Sequence, residues 1–116
     1  MENHKVTNLA TLHQLTGGDT AKKEKYIRMF LDLLPKQLDA TRTAMAAGDL
    51  PKLKSAVHTL KSQLGYMGVK KGQELAQQIE RMVDEKTQLD DLPTWVQNFI
   101  SICDQANAEL NAELSA

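Results

Sequence analysis

Apolar residues in this chain recur in steps of three and four, with no β-branched run among them, and that period decides what it can fold into. Leu53, Ala56, Val57, Leu60, Leu64 and Met67 form one stripe, and Ile27, Phe30, Leu31, Leu34, Leu38, Thr41 and Met45 a second. Leu75, Ile79, Met82 and Val83 form a third, and Val96, Phe99, Cys103, Ala106 and Leu110 a fourth. Such steps stack side chains on one face of an α-helix. With Ala, Leu, Gln, Glu and Lys abundant and aromatics at 4%, the composition agrees: the chain reads as all-α.

Breakers and caps divide the stripes. A short first helix is predicted over Asn8 to Leu15, ended by Gly17 and Gly18. Asp19 or Thr20 can cap the second, and Pro35 inside its pattern predicts a kink or a break, because proline removes a donor and crowds the carbonyl of Leu31. Gly48 ends that stretch; Asp49 caps a third helix, which tolerates Pro51 in its first turn and runs to about Leu64. Gly65, Gly68 and Gly72 loosen the chain around a turn. A fourth helix follows from Lys70 to Glu85, then a loop from Thr87 to Pro93, and a last helix from near Pro93. Trp95 reads as a core-edge residue and Cys103 as a small core residue. Four substantial helices with short connections predict an antiparallel four-helix bundle, capped at one end by the short N-terminal helix, as a single domain over residues 1–116.

Several function classes are disfavoured at once. A net charge of −1 leaves no nucleic-acid footprint. The N-terminus lacks the apolar core of a signal peptide, and no apolar run approaches membrane-spanning length. His4, His13 and His58 are far apart and Cys103 is the single cysteine, so no metal-ligand spacing is present and neither a metal nor another cofactor is expected. Nothing resembles a phosphate loop, since the glycines before Asp19 mark a helix boundary. The expectation is a free-standing, monomeric cytoplasmic protein, without membrane or nucleic-acid partners.

Within the third helix, His58 falls off the apolar stripe. Its neighbours one turn either way are Lys54, Ser55, Lys61 and Ser62, with Gly65 two turns on. An imidazole is thus turned outward among small residues and ammonium groups. Roughly three quarters of unperturbed imidazoles are neutral at pH 7, and a neutral ring nitrogen can take a phosphoryl group. Ser62 and Gly65 leave room for that group and for the protein delivering it, and Lys61 can offset its charge. From spacing alone, an ordinary surface histidine explains the same pattern.

The segment AVHTLKSQLGYMGVKKGQELAQQIE resembles the signature of histidine-containing phosphotransfer (HPt) domains. That signature has a small residue two places before the histidine, then H-x-L-K-G, a glycine ten residues after it, and an L-E-like ending on the next helix. Ala56, His58, Leu60, Lys61, Gly68 and Ile79-Glu80 hold those places, and Ser62 stands where glycine is commoner. The resemblance implies a phosphorelay carrier without a nucleotide site of its own. It would accept a phosphoryl group on His58 from an aspartate of one receiver domain and pass it to another. The implied partners are receiver domains of response regulators and of a hybrid histidine kinase, with Mg²⁺ on the receiver. Two rivals are a helical adaptor that binds receivers without being phosphorylated, and a metal or haem bundle, which the missing ligand pairs disfavour.

Hairpin geometry adds a partner for the ring. If the chain turns near Gly68, His58 and Glu80 both lie ~15–18 Å from the turn at 1.5 Å per residue, so they should meet. Gln73, Gln77, Glu80 and Asp84 share a polar face of the fourth helix. Glu80, helped by Gln77, is expected to orient the ring by accepting Nδ1–H, which leaves Nε2 as the nucleophile. Family members likewise carry an acidic or amide residue at the place of Glu80. Lys61 is expected to act separately, on the phosphoryl charge, and Ser62, Gly65 and Gly68 to keep a small docking face.

Overall fold

The computed structural model describes residues 5–115; Met1 and His4 lie outside the described residues. It contains α1 (Ala10–Leu15), α2 (Thr20–Ala47), α3 (Leu50–Tyr66), α4 (Lys70–Glu85) and α5 (Leu92–Ser115), with no strand among the described residues. Helices α2, α3, α4 and α5 each pack on the next, and α5 returns to α2, closing a four-helix bundle. The 28 residues of α2 span ~42 Å at 1.5 Å per residue, which matches the 43 Å long axis of the molecule.

All four apolar stripes point into one core. Phe30, Leu53, Val57, Leu60, Leu64, Ile79, Met82, Phe99 and Cys103 are fully buried there, and Trp95 packs at its edge. Burial pushes the Cys103 thiol up to about 12, with Asp104 adding to it, so this cysteine is packing and not a reactive nucleophile. Asp19 and Asp49 cap α2 and α3 by accepting the backbone N–H of Lys22 and Lys52, at 3.0 and 3.1 Å. Between α2 and α3, Gly48 takes φ +68° and lets the N–H of Asp49 reach back to the Ala44 carbonyl at 2.9 Å.

Pro35 does not break α2, which continues from Thr20 to Ala47. Its ring is exposed, while Ile27, Phe30 and Leu34 before it and Leu38 and Thr41 after it are all buried. Packing on both sides of the proline outweighs one missing backbone hydrogen bond. The first helix is also shorter than predicted, because Asn8 has another task. Its N–H donates to the Met67 carbonyl at 3.1 Å, and its side-chain oxygen accepts from Ala10 N–H at 3.0 Å.

That contact seats the N-terminal arm on the turn between α3 and α4. Gly68 there has φ +65°, and a Cβ on it would collide with the Asn8 carbonyl, so glycine is required both by conformation and by close approach. The arm is hooked to α5 as well. The Glu109 carboxylate accepts from Val6 N–H at 2.9 Å, Thr7 N–H at 3.0 Å and the Thr7 hydroxyl at 2.7 Å. Desolvation opposes the charge on Glu109, but these donors together with Gln105 hold its carboxyl below the usual range.

Candidate functional site

The α3 stripe that buries Leu53, Val57, Leu60 and Leu64 necessarily turns His58 outward, and 61% of its side chain is exposed. On α4, Ile79 is fully buried, and the next residue, Glu80, falls on the seam between the two helices with only 9% of its side chain exposed. The Glu80 Oε1 lies 3.1 Å from His58 Nδ1. Lys61 Nζ sits 3.1 Å from the same oxygen and 3.2 Å from Oε2. A carboxylate so covered needs charged or hydrogen-bonding partners, and it has both.

This geometry decides the chemistry of the ring. An ionised carboxylate only accepts hydrogen bonds, so this contact is a hydrogen bond in the tautomer that carries the proton on Nδ1. In the neutral ring the lone pair is then on Nε2, at the end of an exposed side chain. One turn further along α3 opens a groove of ≈ 600 Å³ lined in part by Lys61, Ser62, Gln77 and Arg81, with His58 outside its lining. Among the described residues, no group of three or more His, Cys, Asp or Glu is placed to hold a metal ion.

The other expected site residues are placed differently. Gln77 does not meet the ring: its Oε1 accepts from Lys61 Nζ at 3.1 Å, so it positions the lysine. Lys61 and Glu80 are also in direct contact, since one carboxylate meets both the ring and the ammonium. Ser62 is exposed on the groove. Gly65 is only half-open, because the Gln73 side chain reaches over it, and a Cβ there would meet Gln73 Nε2 at 2.7 Å. Gly68 belongs to the turn beneath Asn8 and takes no part in the face around the ring.

A further pair lies in line with these. Lys54 Nζ donates to Asp84 Oδ1 at 2.6 Å. It carries no motif of its own; the signal for it is the hairpin register. Once His58 faces Glu80, equal steps in opposite directions bring Lys61 to Gln77, Gly65 to Gln73, and Lys54 to Asp84. The hydrogen bond to Asp84 raises the Lys54 ammonium above its ordinary value against desolvation, and the charges of Asp84 and then Glu80 add to it.

The family model described as the Hpt domain matches residues 25–116. No curated protein matches the chain. Among solved structures, the HPT domain of a sensor hybrid histidine kinase from Shewanella shares the fold with a TM-score of 0.83. It is 23% identical, and the match covers 95% of this chain and 94% of that one. With most of its length inside the family pattern, including both helices that build the site, the chain belongs to the histidine-containing phosphotransfer family.

Proposed function

We propose that this protein carries a phosphoryl group on Nε2 of His58, taking it from an aspartate of one receiver domain and giving it to another. Family membership supports the phosphotransfer role. What favours His58 as the carrier is a single arrangement: an exposed ring whose Nδ1 is held 3.1 Å from a buried carboxylate.

In the forward step the Nε2 lone pair attacks the phosphorus of an aspartyl phosphate. The N–P bond forms as the P–O bond breaks, and the aspartate leaves as a carboxylate. The Nδ1 proton stays in place, so the ring becomes cationic while it is phosphorylated, and Glu80 offsets that charge. Lys61, one turn away, faces the incoming negative charge. Passing the group to a second receiver reverses these events. The domain supplies a positioned nucleophile, and Mg²⁺ with its charges belongs to the receiver. It therefore acts as a carrier and not as a kinase.

The partners proposed are receiver domains of response regulators and of a hybrid histidine kinase, met in the cytoplasm by a monomeric domain. Among the described residues no helix is long and apolar enough to cross a membrane. The test is to incubate the protein with a panel of phosphorylated receiver domains. Acid-labile label should appear on the wild type and be absent from a folded His58→Gln variant. Receiver binding without any labelling would make the domain an adaptor instead.

A further inference from the structure

Lys54 and Asp84 close the rung next to the one formed by His58 and Glu80. Neither is among the residues that carry the family resemblance. The geometry points to Lys54 as a second positioning cation for the phosphoryl group on His58, with Asp84 holding it in reserve while the ring is unmodified. This rests on the phosphotransfer reading of His58.

Two features place Lys54 within reach. It stands one turn before His58 on the same outward face, at the spacing where helical side chains are neighbours. Side chains on a helix also lean toward its N-terminus, so the His58 ring tilts over the turn that bears Lys54. The charge of Glu80, the residue that touches the ring, already acts on the Lys54 ammonium, which places both in one electrostatic neighbourhood.

The two lysines differ in how firmly they are held. Lys61 has 21% of its side chain exposed and is fixed by both Glu80 oxygens and by Gln77. Lys54 is held by Asp84, and the two side chains are 40% and 55% exposed. Exposed pairs of this kind are weak and screened by solvent. A phosphoryl group arriving at Nε2 brings more negative charge than one carboxylate, so it competes for Lys54 more readily than for Lys61. The charged groups facing it are then Lys54 and Lys61 from α3, and Glu80 and Asp84 from α4. Once the phosphoryl group is on Nε2, Lys54 exchanges one ion-pair partner for another, a step that itself breaks no covalent bond.

The test needs no partner protein. Phosphoramidate can phosphorylate the full chain, its P–N bond breaking as the Nε2–P bond forms and ammonia leaving. The pH titration of the phosphoryl group is then followed by ³¹P NMR, with circular dichroism to show that each variant keeps its helices. A nearby cation favours the more highly charged phosphoryl form. Lys54→Gln should therefore raise the proton affinity of the group roughly two- to fivefold, the scale of an exposed ion pair. Asp84→Asn should lower it, and by less once Lys54 has been replaced. Equal titrations in the wild type and Lys54→Gln would overturn the inference while leaving His58 as carrier. So would an Asp84→Asn effect that is the same with and without Lys54. If the wild type takes no phosphoryl group on His58, the carrier reading falls and the role of Lys54 falls with it.

Discussion

Removing the Glu80 carboxylate is the sharpest perturbation of the site. Glu80→Ala deletes the acceptor for His58 Nδ1–H at 3.1 Å and both contacts to Lys61. A hydrogen bond to a charged group contributes about 1.5–3 kcal/mol, and the exposed ring puts this one at the lower end. If the bond strengthens as the ring becomes cationic, its loss should slow phosphoryl transfer about tenfold, since each 1.36 kcal/mol is one decade in rate. Glu80→Gln keeps an acceptor within reach of Nδ1 and loses only the charge, so it should cost about two- to fivefold. Transfer from one phosphorylated receiver, measured by rapid quench, gives the rates. Long-range ¹H–¹⁵N spectra of the ring give the tautomer: the Nδ1–H form should dominate in the wild type and Glu80→Gln, and lose ground to Nε2–H in Glu80→Ala. An Glu80→Ala protein that transfers at the wild-type rate with an unchanged tautomer would refute the claim that Glu80 prepares the nucleophile.

Three further outcomes follow from the packing. Lys61→Ala should slow transfer a few-fold, about the effect of one partly exposed charge, with little loss of helicity, because the other Glu80 partner, His58, remains. Gly65→Gln should keep the fold and gain up to about 1 kcal/mol of helix propensity, since the collision is with the movable tip of Gln73; receiver-dependent transfer should nevertheless fall, and an unchanged rate would show that this part of the face is not used. Glu109→Ala should release the N-terminal arm and cost about 1 kcal/mol near neutral pH, after allowance for solvent screening. The Glu109 carboxyl is held below its ordinary value of 4.5. Its contribution is therefore present above that value and lost as pH falls through the depressed one. The wild-type advantage in thermal melting should disappear in acid, and an advantage that persists there would mean the carboxylate is not the hook.

Much of this was legible because helices announce themselves by period. The four stripes, the caps at Asp19 and Asp49 and the turn at Gly68 were enough to set α3 against α4, and that register alone brings His58 to Glu80. What stayed hidden depends on contacts without a period. The hook of Glu109 on Val6 and Thr7 joins residues more than a hundred apart, and neither end carries a pattern that points to the other. Asn8 leaves the first helix because the Met67 carbonyl is there to receive it. Pro35 stays within an unbroken helix because the buried residues on both sides hold it to the core, a balance that no local rule contains. The contact that Gln77 makes was hidden for a related reason. Its face was right, but only the length of the lysine side chain shows that Lys61, and not the ring, reaches it.

The account turns on which atom carries the phosphoryl group. Phosphorylating the ¹⁵N-labelled protein and recording ¹⁵N and ³¹P spectra of the modified histidine reads this directly. A single phosphoryl group on Nε2 of His58, with Nδ1 still hydrogen-bonded to Glu80, is the predicted result. A group on Nδ1, or on any residue other than His58, would contradict it.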